Sequence, residues 1–272
     1  MTDLPILGAA LTVTSLETHR KLMLDKPRDL ELQDFCNAET LNGDWKPQVE
    51  QALKLLDGHE GRVGIHGPFM GFSIAAHDTE IRDIVRKRLI QGLEVCEALG
   101  GTHMVVHSPY STWDHYNLDN SDQGRAAKIE LCHLTMKDAV KRAEDTGIEL
   151  VLENIEDRDP DARQLLAQSF GSDAVKISID TGHAHYAHGV TGAPPVDYFV
   201  KAAGDELAHV HLQDADGYAD RHWTLGEGTI NWHAVFRALG KLTSNPRLIV
   251  ELRDHAGLPA SIANMTALGL AQ

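Results

Sequence analysis

Short apolar runs alternate with longer amphipathic stretches eight times along the chain. The runs lie at 6–13, 29–33, 62–66, 103–107, 148–153, 175–180, 207–212 and 248–251, and each predicts a strand. Several are nearly continuous in aliphatic residues: Met104-Val105-Val106, Leu150-Val151-Leu152, Ile177-Ser178-Ile179 and Leu248-Ile249-Val250. A strand with one wet face would alternate polar and apolar positions, so continuous runs suit parallel strands buried on both faces. Between the runs the spacing turns helical. Over 79–99, Ile81, Ile84, Val85, Leu89, Leu93 and Leu99 fall near one stripe, and Gly100-Gly101 supplies a stop. Further helices are expected over 123–146, stopped by Gly147, and over 161–170, 196–203, 232–239 and 260–268.

Strand and helix in strict alternation, joined by right-handed crossovers, give a parallel sheet. Eight repeats favour closure into a (β/α)₈ TIM barrel, and one domain over 1–272 matches the roughly 250 residues such a barrel needs. An open doubly wound sheet is the competing architecture, but no Gly-x-Gly-x-x-Gly follows the first run.

Composition narrows the functional class. The formal net charge is −15, and the longest basic cluster, Arg82, Arg86, Lys87 and Arg88, sits among acidic residues on an expected helix. That cluster reads as a solvated face, so a nucleic-acid partner is disfavoured. No run approaches the roughly 20 apolar residues of a membrane span. The first residues lack a basic segment ahead of an apolar core, so the expected location is cytoplasmic. Cys36, Cys96 and Cys132 are odd in number and far apart. They are expected to be buried free thiols rather than a disulfide framework or a thiolate metal site. A homo-oligomer is compatible with the sequence, whose helices offer no apolar patch that decides the matter. The unusual figure is 16 histidines, the commonest metal-ligand residue type.

The histidines and carboxylates recur at one structural position. Strands three to six end in His66, His107, Glu153 and Asp180, the last followed by Thr181-Gly182-His183. Strand seven carries His209 and His211, followed by Asp220-Arg221-His222, and strand eight ends in Glu251. In a (β/α)₈ barrel these ends converge on one mouth. A single His or Glu there is more often structural. Six successive strand ends of this kind would be very costly to bury together without a shared cation. Mixed imidazole and carboxylate donors suit Mn²⁺, Zn²⁺, Co²⁺ or Fe²⁺, and carboxylate-rich sites also suit Mg²⁺; no organic cofactor is expected.

Other histidines fall outside this pattern. His19, His59, His77 and His133 are expected on helices or turns at the surface, and His103 opens its strand at the far end of the barrel. His209 and His211 face the same way, two residues apart. His211 is nearer the mouth and is the better ligand; His209 belongs to the layer beneath. His185 and His188 are placed in the loop after strand six. Asp114 and His115 lie in an expected long loop over 111–122, a candidate substrate wall.

Leu152-Glu153-Asn154, Asp180-Thr181-Gly182-His183, the segment His209 to Asp214, and Asp220-Arg221-His222 with Leu225-Gly226-Glu227-Gly228 together resemble the xylose isomerase-like TIM-barrel superfamily. The resemblance runs from His66 to Glu251. That superfamily holds sugar isomerases and epimerases and also the endonuclease IV type of repair enzyme. Its epimerases hold one metal, and the matching residues are Glu153, Asp180, His211 and Glu251. The endonuclease IV type holds three zinc ions, and its further positions match His66, His107, His183, Asp220 and His222.

The segment Gln213-Asp214-Ala215-Asp216-Gly217 and the first two strands favour the sugar-enzyme line, by analogy. The resemblance then implies a metal-dependent isomerase or epimerase acting on a carbohydrate, a sugar phosphate or a sugar acid through an enediolate. Glu153 and Glu251 would exchange the proton, and His183 would hydrogen-bond a substrate oxygen. His66 and His107 would contact substrate, and Arg221 or Arg253 would hold an anionic group. The alternative is a zinc phosphodiesterase resembling the abasic-site nucleases.

Overall fold

The structure, a computed structural model, describes residues 4–272. The strands are β1 (Gly8–Leu11), β2 (Leu30–Leu32), β3 (Val63–His66), β4 (His103–His107), β5 (Glu149–Glu153), β6 (Val175–Asp180), β7 (Leu207–Leu212) and β8 (Arg247–Val250). They pair in parallel, in chain order, and β1 closes on β8 through Gly8↔Ile249 and Ala9↔Val250. The architecture is a closed (β/α)₈ TIM barrel.

The helices are α1 (Val13–Met23), α2 (Ala38–Asn42), α3 (Lys46–Leu55), α4 (Thr79–Ala98), α5 (Thr112–Asn117), α6 (Gly124–Thr146), α7 (Pro160–Ser169), α8 (Thr181–Thr191), α9 (Val196–Ala203), α10 (Trp232–Leu239) and α11 (Leu258–Ala267). The long helices present an apolar stripe to the outer face of the barrel. Leu89 and Leu93 of α4, Met136 of α6 and Phe199 of α9 are buried there. Nearly every strand residue is buried, as strands covered on both faces require; the partly exposed ones are Val63, His107, Glu149, Lys176 and Ala208.

Strands four, six and seven occupy the expected bounds, and others differ at their ends. The first run is cut short because the Thr12 hydroxyl caps the amide of Ser15, which starts α1 at Val13. Glu251 lies one residue beyond β8. Two expected loops are helical. Residues 112–117 form α5, opened by a capping box in which Ser111 and Asp114 satisfy each other's backbone. His183, His185 and His188 lie on α8, whose N-cap is Asp180 itself: its carboxylate accepts the His183 amide at 2.6 Å.

α8 follows β6 without a linker, so its first turn presses on the next strand. A Cβ on Gly182 would sit 2.1 Å from Cδ of Gln213, so any larger residue there must displace the Gln213 side chain. The segment after β7 is tied down by Asp214. Its carboxylate accepts from the amides of Gly226 and Ile230 and from Trp232 Nε1, at 2.7, 3.3 and 2.9 Å. Cys36, Cys96 and Cys132 are free, the latter two buried and Cys36 half-buried. Among the described residues no helix is long and apolar enough to cross a membrane.

Candidate metal centre

Three groups of donors share the barrel mouth, and within each group the ligand atoms lie within 4.8 Å of one another. The first is Glu153, Asp180, His211 and Glu251. His211 Nδ1 is 2.7 Å from Glu153 Oε1 and 3.5 Å from Glu251 Oε2. The second is His66, His107 and again Glu153, whose Oε2 lies 3.8 and 3.5 Å from their Nε2 atoms. The third is His183, Asp220 and His222, with both imidazoles reaching Asp220 Oδ1, at 3.5 and 3.1 Å. Glu153 Oε2 and Asp180 Oδ2 are buried without a hydrogen-bond partner. An orphaned buried carboxylate oxygen is costly, and a divalent cation at the mouth is a partner that fits both.

The far side of each ring shows how the donors are aimed. A metal-ligating imidazole ordinarily gives its other N–H to an acceptor that fixes tautomer and orientation. His66 Nδ1 donates to the Gly67 carbonyl at 2.9 Å, which leaves Nε2 facing Glu153. His183 Nδ1 donates to the Asn154 carbonyl at 2.9 Å, which leaves Nε2 facing Asp220. His211 Nε2 meets Glu31 Oε1 at 2.9 Å, which leaves Nδ1 facing Glu153. Asn154 also accepts the Asp180 amide at 2.9 Å, locking the ends of β5 and β6 together.

The electrostatics describe a site short of positive charge. Burial opposes a charged His211, yet the carboxylates of Glu251, Glu31 and Glu153 hold its pKa well above the ordinary range. Burial opposes a charged His183 too, and Asp180 and Asp220 outweigh it. His222 is raised to about 9, with Asp220 and Glu251 overcoming burial. Burial pushes Asp180 up to about 6 against the pull of His183 and His222. Burial would raise Glu153 as well, but the positive His211 prevails and holds it low. His107 goes the other way, down to about 3, because burial dominates and its histidine neighbours repel a further proton. The buried carboxylates thus favour positive charge at the mouth.

A cavity of about 520 Å³ opens over these groups, lined by His66, His107, Glu153, His183, Asp220, His222 and Glu251 together with Gln33, Cys36, Phe69 and Ile155. Phe69 stacks on His107 with ring centroids 4.1 Å apart. All nine donors singled out in the sequence therefore meet at one place. The two arginines do not line this cavity. The Arg221 guanidinium is held by Asp216 at 2.8 Å and lies over the Trp223 ring, and Arg253 is exposed. Asp114 is consumed by its cap and by Lys128. His115 pairs with Arg158.

Two residues of this site were not anticipated. Glu31 is fully buried inside the barrel on β2. Gln33, just beyond it, donates to Glu251 Oε1 at 2.6 Å. The signal for Glu31 was present as a charged residue flanked by Leu30 and Leu32 in a run destined for burial, where an unpaired carboxylate is not tolerated.

Comparison with known proteins bears on the fold. A solved structure described as a D-tagatose 3-epimerase-like protein superposes with a TM-score of 0.77 at 22% identity, over 96% of each chain. The TTHB071 protein from Thermus thermophilus, soaked with ZnCl2, superposes with a TM-score of 0.71 at 23% identity, over 98% of this chain and 99% of that one. In sequence, the uncharacterized protein MJ1311 of Methanocaldococcus jannaschii is 26% identical over 216 residues, 76% of this chain and 69% of its own length. Residues 30–268 match the family described as the xylose isomerase-like TIM barrel, and the chain belongs to that family.

Proposed function

We propose that the protein is a divalent-metal-dependent sugar isomerase or epimerase that moves a proton next to a sugar carbonyl. The observation that carries this reading is the placement of Glu153 and Glu251. They come from β5 and from just beyond β8, and they approach His211 Nδ1 to 2.7 and 3.5 Å beneath the cavity. A cation held by Glu153, Asp180, His211 and Glu251, whether Mn²⁺, Zn²⁺, Mg²⁺ or Co²⁺, would polarise carbonyl and hydroxyl oxygens and favour an enediolate.

The chain's own residues supply the rest. One of the two glutamates accepts the proton from carbon and the other returns it. Gln33 steadies Glu251 by donating to Oε1. His183, His66 and His107 offer hydrogen bonds to substrate oxygens, and Phe69 walls the His107 side against water. No Lys or Arg lines the cavity among the described residues, which favours an uncharged sugar over its phosphate. The test is solvent deuterium incorporation at the carbon beside the carbonyl, followed by NMR in a panel of ketoses with Mn²⁺-loaded protein. Glu153→Gln should lower the exchange by at least about 10²-fold, the usual contribution of a general base. Undiminished exchange in that variant would reject the reading.

A second reading has its own observation. The groups His66–His107–Glu153 and His183–Asp220–His222 stand beside the first one, as the trinuclear zinc site of the endonuclease IV type would require. Clustered zinc would then activate water against a phosphodiester. The net charge of −15 speaks for a small phosphodiester rather than a polynucleotide. Three tightly bound zinc ions per chain would favour this reading, and one exchangeable Mn²⁺ or Mg²⁺ would favour the isomerase.

A further inference from the structure

One layer beneath the mouth lies a cluster that neither reading uses. Glu31 of β2, His103 of β4 and His209 of β7 are each 0% exposed. The neighbouring strands make room for them. Glu31 stands in register with Ala10 on one side and Gly64 on the other. A Cβ on Gly64 would lie 2.2 Å from the His103 ring. Glu31 Oε2 faces His209 Nε2 at 3.2 Å and His103 Nε2 at 3.5 Å. The remaining nitrogen of His209 is 2.8 Å from Ser178 Oγ. Glu31 Oε1 reaches upward to His211 Nε2 at 2.9 Å.

A carboxylate has no proton to give, so the imidazole nitrogen facing Glu31 Oε1 must carry N–H. For His211 this has a specific consequence. With Nε2 protonated, the lone pair of the neutral ring is on Nδ1, the atom that faces Glu153 and Glu251. His66 and His183 are aimed in the same manner, but by backbone carbonyls. Of these three, only His211 is backed by a full negative charge. A charged acceptor draws the N–H proton further than a carbonyl does and makes the opposite nitrogen a stronger donor.

We propose that Glu31 is a positioning residue for the metal centre. It fixes the tautomer and ring plane of His211, and it makes the Glu153–Asp180–His211–Glu251 group the tightest of the three for a cation. His103 and His209 flank the other oxygen of Glu31 at 3.5 and 3.2 Å, although that oxygen has no hydrogen-bond partner. This rests on the reading of the mouth as a metal centre. Glu31, His103 and His209 could themselves be imagined around an ion. Their one carboxylate is already shared with His211, however, and a dication there would be enclosed with little compensating charge.

The test is a Co²⁺ titration of chelator-treated protein, followed by its visible absorption bands. Glu31→Gln should bind the first Co²⁺ 10–100-fold more weakly than the unaltered protein, the usual effect of losing such a partner, with shifted bands. Ser178→Ala disturbs the same layer through His209 alone and should bind as the unaltered protein does. Equal affinity and an unchanged spectrum in Glu31→Gln would overturn the proposal. So would an equal loss in Ser178→Ala, or Co²⁺ stoichiometry lowered by one ion in Glu31→Gln, which would make the cluster itself a metal site. Should Glu31→Gln not fold, ¹⁵N NMR of the ¹¹³Cd-loaded unaltered protein decides. Coupling of the metal to His211 Nδ1 supports the proposal, and coupling to Nε2 overturns it. A protein that binds no Co²⁺ at all would overturn the metal-centre reading as well, which separates the two failures.

Discussion

The amide of His222 donates to Gln213 Oε1 at 2.7 Å, and His222 holds a left-handed backbone with φ of 52°. A non-glycine residue in that conformation costs on the order of 1–3 kcal/mol unless its surroundings enforce it. Gln213 is that surrounding. Its Nε2 also donates to Asp180 Oδ1 at 3.1 Å and to Asp220 Oδ1 at 2.8 Å. One buried amide thus joins the first donor group to the third. Gln213→Ala should cost about 1–3 kcal/mol in urea unfolding of the metal-free protein, the cost of leaving buried partners unpaired. It should also reduce zinc retained after dialysis. Full retention would show that Asp220 and His222 are placed independently of Gln213.

Gly182 and Gln213 should behave as one unit. The Cβ of Gly182→Ala would crowd the Gln213 amide carbon, 2.1 Å away. That substitution should reproduce most of the loss seen for Gln213→Ala. The double variant should fall well short of the sum, because contacting residues do not add. Strict additivity of the two unfolding free energies would contradict the contact.

Metal uptake should release protons. His211, His183 and His222 have raised pKa values, the last at about 9, so the metal-free site carries these protons at pH 7. A ligating imidazole must be unprotonated, so cation affinity should rise between pH 7 and 9. For the metal-free fold the sign is opposite. A raised imidazole pKa stabilises fully below its ordinary 6.5, and that contribution is lost as pH climbs through about 9. Calorimetric titration in buffers of different ionisation enthalpy measures the release. Binding without proton release at pH 7 would contradict these charge states.

Near the cavity, Asp157 accepts from Ser108 Oγ at 2.9 Å and from the Ile155 amide at 3.1 Å, and its partner Arg163 is buried with it at 3.4 Å. Burial raises Asp157 and lowers Arg163 despite their pairing. Asp157→Ala would leave a buried guanidinium uncompensated and should cost about 3–5 kcal/mol. Replacing Asp157 and Arg163 together by leucine should recover much of that in thermal unfolding. If the double variant is no more stable than Asp157→Ala, the stranded charge is not the cause.

The sequence was most legible where strand and chemistry coincide. β6 and β7 end in Asp180 and Leu212, and their aliphatic runs break off at polar residues that the mouth requires, so period and function mark one boundary. The first quarter was harder to read. β1 and β2 have four and three residues, β1 is built of glycine, alanine and leucine, and α2 has only five residues. Periodicity has little to act on over such lengths. Glu31 lies within the expected run 29–33 and escaped notice because it stands in mid-strand rather than at a strand end. α8 escaped because Gly182, three histidines and Gly189 weaken its helical pattern, while its start depends on the Asp180 cap. Arg221 looked like an anion clamp, but Asp216, five residues earlier, already holds it.

Closure of the ring by β8 has a consequence for how the molecule matures. β6, β7 and β8 all follow Glu153 in the chain before Glu251 is reached, and Glu251 joins the other donors only once β8 has docked between β7 and β1. A nascent chain stalled before that event offers an incomplete claw of ligands. The Glu153–Asp180–His211–Glu251 group is therefore complete only in the closed ring, and a cation held there would clasp the last strand to the middle of the ring.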